Sequence, residues 1–313
     1  MPNPATNASG MGCQYDYVCP AENTPYMEWQ AMAFHHSVLK ATGRPPIIMV
    51  MEYPREPLLD GFKLIRQSGR NIQRCPNYRN QGYTEYAPRN TPGCLLHGET
   101  NADFVILCDA DMLFTHEPFV PRVRENEITL DNMFQHFMHL DHPKMRAYLK
   151  YVVPRVGLDR DRFSRWPTWG GVPHVIPRSM LRTLAHEWLA CCDFAMATGP
   201  DSWQPNLWES SMWALVWAIV RLHLEPVRTY WCEHNNDGKR PWDPWWAIIH
   251  YVKHDGGGFI KNGRECFPAD DVKVDRGSID AQILKRLRAA EDWWAERCDR
   301  ASESTWASSR LKT

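Results

Sequence analysis

Apolar residues repeat with helical spacing near both ends of the chain. Within residues 24–43 they recur every three or four positions, after Thr24-Pro25 and before Gly43, which are typical start and stop signals of a helix. Residues 279–297 show the same spacing and predict a C-terminal amphipathic helix followed by a tail that ends at residue 313. Further helices are predicted near 60–68, after Pro177 as far as residue 189, and over about 207–223.

Short, wholly apolar runs lie between these helices and predict buried strands. They are "IIMVM" (47–51), "FVILC" (104–108) and "WWAIIHY" (245–251). Helices that alternate with such strands indicate an α/β fold with a mostly parallel central sheet covered on both faces. We expect one domain over residues 21–278, an N-terminal extension over 1–20, and a C-terminal helix and tail over 279–313.

The composition is that of a globular protein with an excess of tryptophan. The 313 residues are 43% hydrophobic and 23% charged, and 15 are tryptophan. The N-terminus lacks the features of a signal peptide, and no run approaches the eighteen or so apolar residues of a membrane helix. The 10 cysteines show no C-x-x-C spacing. We therefore expect reduced thiols in a cytoplasmic protein that does not contact a membrane.

Charge is uneven along the chain although the net charge is only −1. Residues 61–84 contain five basic residues and no acidic one. Such a run is either a solvated face or a surface that meets a polyanion, and the sequence leaves both open.

Two aspartates follow the second predicted strand in "ILCDADMLF" (106–114). In open α/β sheets ligands bind beyond the carboxyl ends of the strands, and residues two apart in an extended chain point the same way. Asp109 and Asp111 of this D-x-D motif can therefore face one hard divalent cation, an ion that often shares its ligands with phosphate groups. The alternative from the residues alone is an acidic loop without a metal.

Several blocks of sequence resemble the plant peptidyl serine α-galactosyltransferases and hydroxyproline O-arabinosyltransferases. They follow the same order as in those enzymes: "YMEWQAMAFHHSVLK" (26–40), "RNTPGCLLHGETNADFVILCDADMLF" (89–114), "WGGVPHVIPRSMLRTLAHEWL" (169–189), "LWESSMWALVWA" (207–218) and "IIHY" (248–251). The resemblance implies a GT-A-type, Rossmann-like fold, a UDP-sugar as co-substrate, Mn²⁺ or Mg²⁺, and retention of the anomeric configuration.

The resemblance also implies roles for individual residues. Asp111 should chelate the metal, Asp109 should reach the metal or the donor ribose, and His250 should supply a third ligand, with His254 as its competitor. The positions expected near the donor are Tyr26, Trp29, Gln30 and Asn90.

Glu209 is the residue we expect to carry the chemistry. It matches a family glutamate, and a carboxylate beside the anomeric carbon can stabilise positive charge or attack it. The alternative is that Glu209 closes a helix capping box with Asn206. Trp169, Gly170 and Gly171 are expected on the acceptor side, because glycine lets a substrate approach the backbone.

The acceptor is the least defined part of the prediction. The plant enzymes act on secreted peptides, whereas this chain shows neither a signal nor an anchor. Two basic segments, 61–84 and 144–182, and the surplus of tryptophan favour a hydroxymethylated pyrimidine in DNA, extruded between aromatic rings. The alternatives are a hydroxyproline or serine peptide, a small molecule, a non-catalytic module that binds nucleotide or glycan, and a metal-dependent hydrolase or nuclease.

Overall fold

The computed structural model describes residues 14–53, 55–69, 71–81, 85–131, 150, 153–154, 157, 171–198, 210–234, 238–251, 264–268 and 272–310. Ten strands lie in these ranges: β1 Tyr15–Glu22, β2 Ile47–Glu52, β3 Ile72–Pro76, β4 Phe104–Leu107, β5 Met112–Phe114, β6 Glu127–Asp131, β7 His174–Pro177, β8 Glu225–Thr229, β9 Cys232–His234 and β10 Ile248–His250. The α-helices are α1 Pro25–Thr42, α2 Asp60–Gln67, α3 Asn90–His97, α4 Leu181–Thr198, α5 Ser210–Arg221 and α6 Ile279–Arg310.

The central sheet has five strands in the order β3-β2-β1-β4-β7. The first four run parallel, and β7 is antiparallel to β4. The predicted α/β class with a mostly parallel sheet, flanked by helices in a single domain, is confirmed. The strand order also reverses at β1, because the chain passes from β1 to β2 and β3 on one side and then returns to β4 on the other.

Most of the first strand, residues 15–20, lies within the segment that the sequence predicted to be an extension. Residues 15–22 form the centre of the five-stranded sheet, where the sequence predicted no strand. The reason is that "YDYVCPAE" mixes polar and apolar residues and contains a proline, which masks a strand that is buried only from Tyr17 onwards.

Helix α1 begins and ends where its signals predict. The Thr24 hydroxyl accepts a hydrogen bond from the Met27 N–H at 3.3 Å, and Gly43 ends the helix with φ of 71°. The predicted C-terminal helix is α6, and it covers α1. Buried Trp294 donates its indole N–H to the Met32 carbonyl at 3.0 Å.

Helices α3, α4 and α5 contribute buried apolar residues to one large core cluster, which also includes residues from strands of the central sheet. Trp188, Trp213 and Trp217 are buried in this cluster, with exposures of 3% or less. Of the ten tryptophans whose side chains the structure describes, six are buried, so most of them serve the core. Trp242, Trp246 and Trp293 are partly buried, and Trp245 is 78% exposed.

Two smaller sheets complete the architecture, in the orders β5-β10-β9 and β6-β8. The predicted strand over 245–251 is therefore only three residues long and lies in a different sheet from β4. In the described part of the chain, no helix has the length and apolarity needed to cross a membrane. Nine cysteines are described as free thiols, and seven of them are buried.

Candidate active site

The two aspartates lie where the strand order of the central sheet reverses. β1 and β4 are neighbours, and the Cys108 N–H donates to the Val18 carbonyl at 2.8 Å immediately before the aspartates. Asp109 and Asp111 therefore follow the carboxyl end of β4, beside the last residues of β1. In open α/β sheets this crevice is the usual place for a nucleotide ligand.

The structure brings His250 to both carboxylates. Its Nε2 lies 3.1 Å from Asp111 Oδ1 and 3.7 Å from Asp109 Oδ2. The exposed fraction of the side chain rises from 6% for His250 through 13% for Asp111 to 35% for Asp109. The group is thus anchored on the histidine side and open to solvent on the Asp109 side.

Backbone pairing fixes this arrangement. β10 is antiparallel to β5, with His250 opposite Met112, the residue that follows Asp111. The Tyr251 N–H donates to the Asp111 carbonyl at 3.0 Å. The position of His250 therefore depends on strand register as well as on contacts between side chains.

Two further residues that the sequence did not single out lie behind His250. Its Nδ1 is 3.2 Å from Nδ1 of His234, and Nε2 of His234 is 3.2 Å from Oδ1 of Asp131. Asp131 is fully buried at the end of β6. These residues lie 16 and 119 positions from His250 in sequence, and no short-range motif indicates them.

The ligand set fits a divalent cation. Two carboxylates and one imidazole present atoms that all lie within 4.8 Å of one another. Carboxylate oxygens suit hard ions such as Mn²⁺ and Mg²⁺, an imidazole nitrogen is a common ligand of transition metals, and a thiolate would favour a softer ion. Burial raises the pKa of the nearby Cys19 and Cys108 thiols well above the usual range, and the Asp109 carboxylate raises both further. They therefore remain neutral thiols beneath the site.

Tyr26, Trp29 and Gln30 occupy the first turns of α1, directly after β1. Tyr26 is half-buried, whereas Trp29 and Gln30 have exposures of only 2% and 1%. The Trp29 ring stacks on Tyr251 at 6.3 Å between centroids, and the Gln30 amide donates to the Tyr26 carbonyl at 2.6 Å. The side chains of Trp29 and Gln30 are thus buried, and the expected place of all three residues near the donor stays a prediction.

Asn90 is buried at the start of α3 and holds the end of β1. Its amide donates to Glu22 Oε1 at 2.7 Å, and its Oδ1 accepts from the Tyr78 N–H at 2.7 Å. Arg79 donates to both oxygens of the same carboxylate, at 2.9 and 2.5 Å. This polar cluster fixes the C-terminal end of β1, one of the two strands that border the crevice.

Three of the five basic residues in the run 61–84 form ion pairs with neighbouring carboxylates. Lys63 pairs with Asp60 at 2.8 Å, Arg74 pairs with Glu52, and Arg79 binds the Glu22 carboxylate. Ion pairs of this kind reduce the positive field that the sequence alone suggests.

Other predicted site residues lie outside the described part of the chain. They are Glu209, Trp169, Gly170 and the competitor His254. Gly171 is described and buried, and its carbonyl accepts from the Asp131 N–H at 2.9 Å. Gly171 thus lies beside the residues behind His250, and its expected place on the acceptor side stays a prediction.

The described fold is similar to the GT-A fold of solved glycosyltransferase structures. Two solved structures show the likeness. An active-site mutant of LgtC is 11% identical with a TM-score of 0.50, over 88% of this chain and 95% of that one. The bifunctional glycosyltransferase WbbM is 11% identical with a TM-score of 0.51, over 95% of this chain and 53% of that one.

No family model and no curated protein sequence matches the chain. At such low identities the structural likeness concerns the fold alone. The GT-A fold predicted from the sequence is confirmed, whereas the resemblance to the two plant groups receives no support from these comparisons.

Proposed function

We propose that the protein is a metal-dependent glycosyltransferase that moves a sugar from a UDP-sugar to a hydroxyl group with retention of configuration. The observation that carries the proposal is the group Asp109, Asp111 and His250, assembled from two sheets at the reversal point of a GT-A-type fold. The sugar nucleotide and the retaining outcome rest on the resemblance of the sequence blocks to the plant enzymes.

The three side chains would have different roles, which follow from how far each is exposed to solvent. Asp111 and His250, which are largely buried, would fix the ion, and the more exposed Asp109 would face the donor. When bound, Mn²⁺ or Mg²⁺ neutralises part of the charge on the diphosphate leaving group. The buried Cys19 and Cys108 thiols and the buried Trp29–Tyr251 stack make the inner side of the site apolar, which would strengthen the electrostatic contacts of Asp111 and His250.

Glu209 is proposed as the carboxylate beside the anomeric carbon. A retaining transfer needs either a carboxylate nucleophile or a group that stabilises an ion pair during attack on the leaving-group face. Glu209→Gln should lower the turnover number by a factor of about 100 or more and leave donor affinity nearly unchanged. A role limited to helix capping would instead lower thermal stability and leave turnover close to wild type.

A hydroxymethylated pyrimidine in DNA remains the acceptor that we propose to test first. It is supported by the basic run and by exposed Trp245, and the ion pairs of Lys63, Arg74 and Arg79 weigh against it. A hydroxyproline or serine peptide and a small-molecule hydroxyl are the other acceptors to include.

The test is UDP release from a panel of UDP-sugars, with Mn²⁺ or with a chelator, in wild type and in Asp111→Asn. The matched control is Asp292→Asn, which makes the same chemical change at an exposed position on α6. We expect release from one sugar that is lost with the chelator and in Asp111→Asn but kept in the control. Equal release in Asp111→Asn and wild type would contradict the proposal, and UDP binding without release from any sugar would favour the binding module.

The acceptor arms add DNA containing 5-hydroxymethylcytosine, a hydroxyproline peptide and simple sugars. Stimulation by one arm alone identifies the acceptor class, and NMR of the product then reports the anomeric configuration. An inverted product would contradict the retaining outcome while leaving the transferase intact.

A further inference from the structure

A line of hydrogen-bonding groups runs inward from the proposed metal site. Parallel strands β9 and β10 place His234 directly opposite His250, with their Nδ1 atoms 3.2 Å apart. The next step joins Nε2 of His234 to Oδ1 of Asp131 at 3.2 Å. The line ends at a carboxylate with no solvent exposure, on the last residue of β6.

The donors around Asp131 determine which atom donates and which accepts in each hydrogen bond of this line. Oδ2 of Asp131 accepts from the Thr229 hydroxyl and from the Trp231 N–H, each at 2.9 Å. A buried carboxylate accepts hydrogen bonds, so Oδ1 takes the Nε2–H of His234. Nδ1 of His234 then carries the lone pair and accepts the Nδ1–H of His250.

The consequence appears at the other ring nitrogen of His250. With its proton on Nδ1, the neutral imidazole presents the lone pair of Nε2 toward Asp111 and Asp109. Three electron-pair donors that converge in this way suit a cation between them. The opposite tautomer would put a proton on the ligand nitrogen and leave two lone pairs facing each other between the histidines.

We propose that His234 and Asp131 are positioning residues that hold His250 in the tautomer and orientation required of a metal ligand. This inference rests on the proposed function, because it assigns the pair a role toward the same ion. Such outer partners raise the basicity of a ligating imidazole and fix its ring.

Cys232 offers a competing explanation, since Asp131, Cys232 and His234 could themselves form a metal site. Both oxygens of Asp131 already accept hydrogen bonds. The partner of its Oδ1 is Nε2 of His234, so both of these atoms are already engaged. The hydrogen bonds therefore explain why Asp131 and His234 lie close together, and no second ion is needed.

Substitutions at His234 separate hydrogen bonding from packing. His234→Gln can still accept from His250 through its carbonyl and donate to Asp131 through its amide, whereas His234→Leu can do neither. Asp131→Asn should reverse the donor and acceptor roles in the hydrogen bonds that join residue 131, His234 and His250. The Trp231 N–H needs the amide oxygen, which turns the amide NH₂ toward His234 and moves the proton of His250 onto Nε2. Cys232→Ser is the control within the same strand.

The measurement is the affinity of the full chain for Mn²⁺ in the absence of any sugar nucleotide. Electron paramagnetic resonance of the unbound Mn²⁺ reports how much of the ion is free. We expect Mn²⁺ binding to weaken by about 10-fold to 100-fold in His234→Leu and Asp131→Asn. His234→Gln should stay within about threefold of wild type, and Cys232→Ser should be unchanged. Thermal unfolding in chelator checks that each variant is folded.

The tautomer itself is read in the unsubstituted, histidine-labelled protein by long-range proton–nitrogen NMR, with His250 assigned by its loss in His250→Gln. A proton on Nδ1 is expected, and a proton on Nε2 would overturn the inference even if the His234 and Asp131 variants do not fold. Unchanged Mn²⁺ affinity in folded His234→Leu would also overturn it, as would a second bound ion that is lost in Cys232→Ser. Unchanged Mn²⁺ affinity in Asp111→Asn would contradict the proposed function itself. Affinity that is lost in Asp111→Asn but kept in folded His234→Leu would contradict only the positioning role of His234 and Asp131.

Discussion

His35 makes the interface between α1 and α6 sensitive to acid. The imidazole has 1% exposure and lies against the Trp293 and Trp294 rings, with centroid distances of 6.2 and 5.4 Å. Burial is the largest cause that lowers its pKa, and together with the charges of His36 and Arg297 it brings the pKa to about 4. The neutral form is thus the one that the folded protein accommodates.

The magnitude follows from the difference between the folded and unfolded pKa values. An unfolded histidine titrates near about 6.5, so between that pH and about 4 the unfolded chain binds a proton that the folded chain does not. Stability is therefore fully present above about pH 6.5 and falls by about 1.4 kcal/mol for each pH unit below it. The loss from this residue is about 2 kcal/mol at pH 5 and levels off below the folded pKa.

His35→Leu removes this proton and keeps an apolar side chain in the interface. At about pH 7.5 the variant should lie within about 1 kcal/mol of wild type, because the ring it replaces has only a long 3.5 Å contact to the Asn71 amide among its described hydrogen bonds. At about pH 5 it should be more stable than wild type by about 2 kcal/mol beyond that starting difference.

The assay is urea unfolding at both pH values, with Val38→Ala as the matched control. Val38 is fully buried on the same helix and carries no proton, so its cost of about 2 kcal/mol should be the same at both pH values. A constant difference between His35→Leu and wild type across the two conditions would refute the reasoning about His35.

Two other predictions concern the polar and packed surroundings of the crevice. Asn90→Asp places a second carboxylate 2.7 Å from Glu22 Oε1 and should lower the free energy of unfolding by about 3 kcal/mol, measured in urea at neutral pH. An unchanged value would show that the two side chains do not meet. Gly93→Ala should lower the unfolding free energy by about 1–3 kcal/mol although alanine favours helices, because the new Cβ would overlap the Tyr78 ring. Tyr78→Ala should relieve most of that cost in the double variant, and additive effects would contradict this explanation.

The sequence predicts most reliably the elements whose signals are local. Helix α1 carries its cap, its stop and its apolar stripe within twenty residues, and β4 is wholly apolar, so both are found where they are expected. β1 is missed because burial by strands on both sides, rather than local propensity, makes its mixed sequence a strand. Membership in a sheet is a long-range property, and for the same reason the residues 245–251 give no sign that β10 joins a second sheet.

The candidate site divides in the same way. Asp109 and Asp111 can be read from one short motif because strand geometry alone turns both carboxylates to one side. His250 was expected through a resemblance, and the described structure brings it to the pair through the register of β10 on β5. His234 and Asp131 come from strands of two different small sheets, and only their three-dimensional pairing with His250 makes them visible.

The division between local and distant residues has a physical basis in what each part of the proposed metal site would have to do. Ligands that face the ion and the substrate tolerate exposure, and a loop at the end of a strand can supply them. Fixing one tautomer of an imidazole requires acceptors and donors held without water, because water would satisfy either ring nitrogen equally well. Such groups must be buried, and here they are drawn from β6 and β9, whose backbones are already fixed by strand pairing. The five-stranded sheet thus places the aspartates, and the two small sheets supply the side chains that determine how His250 meets them.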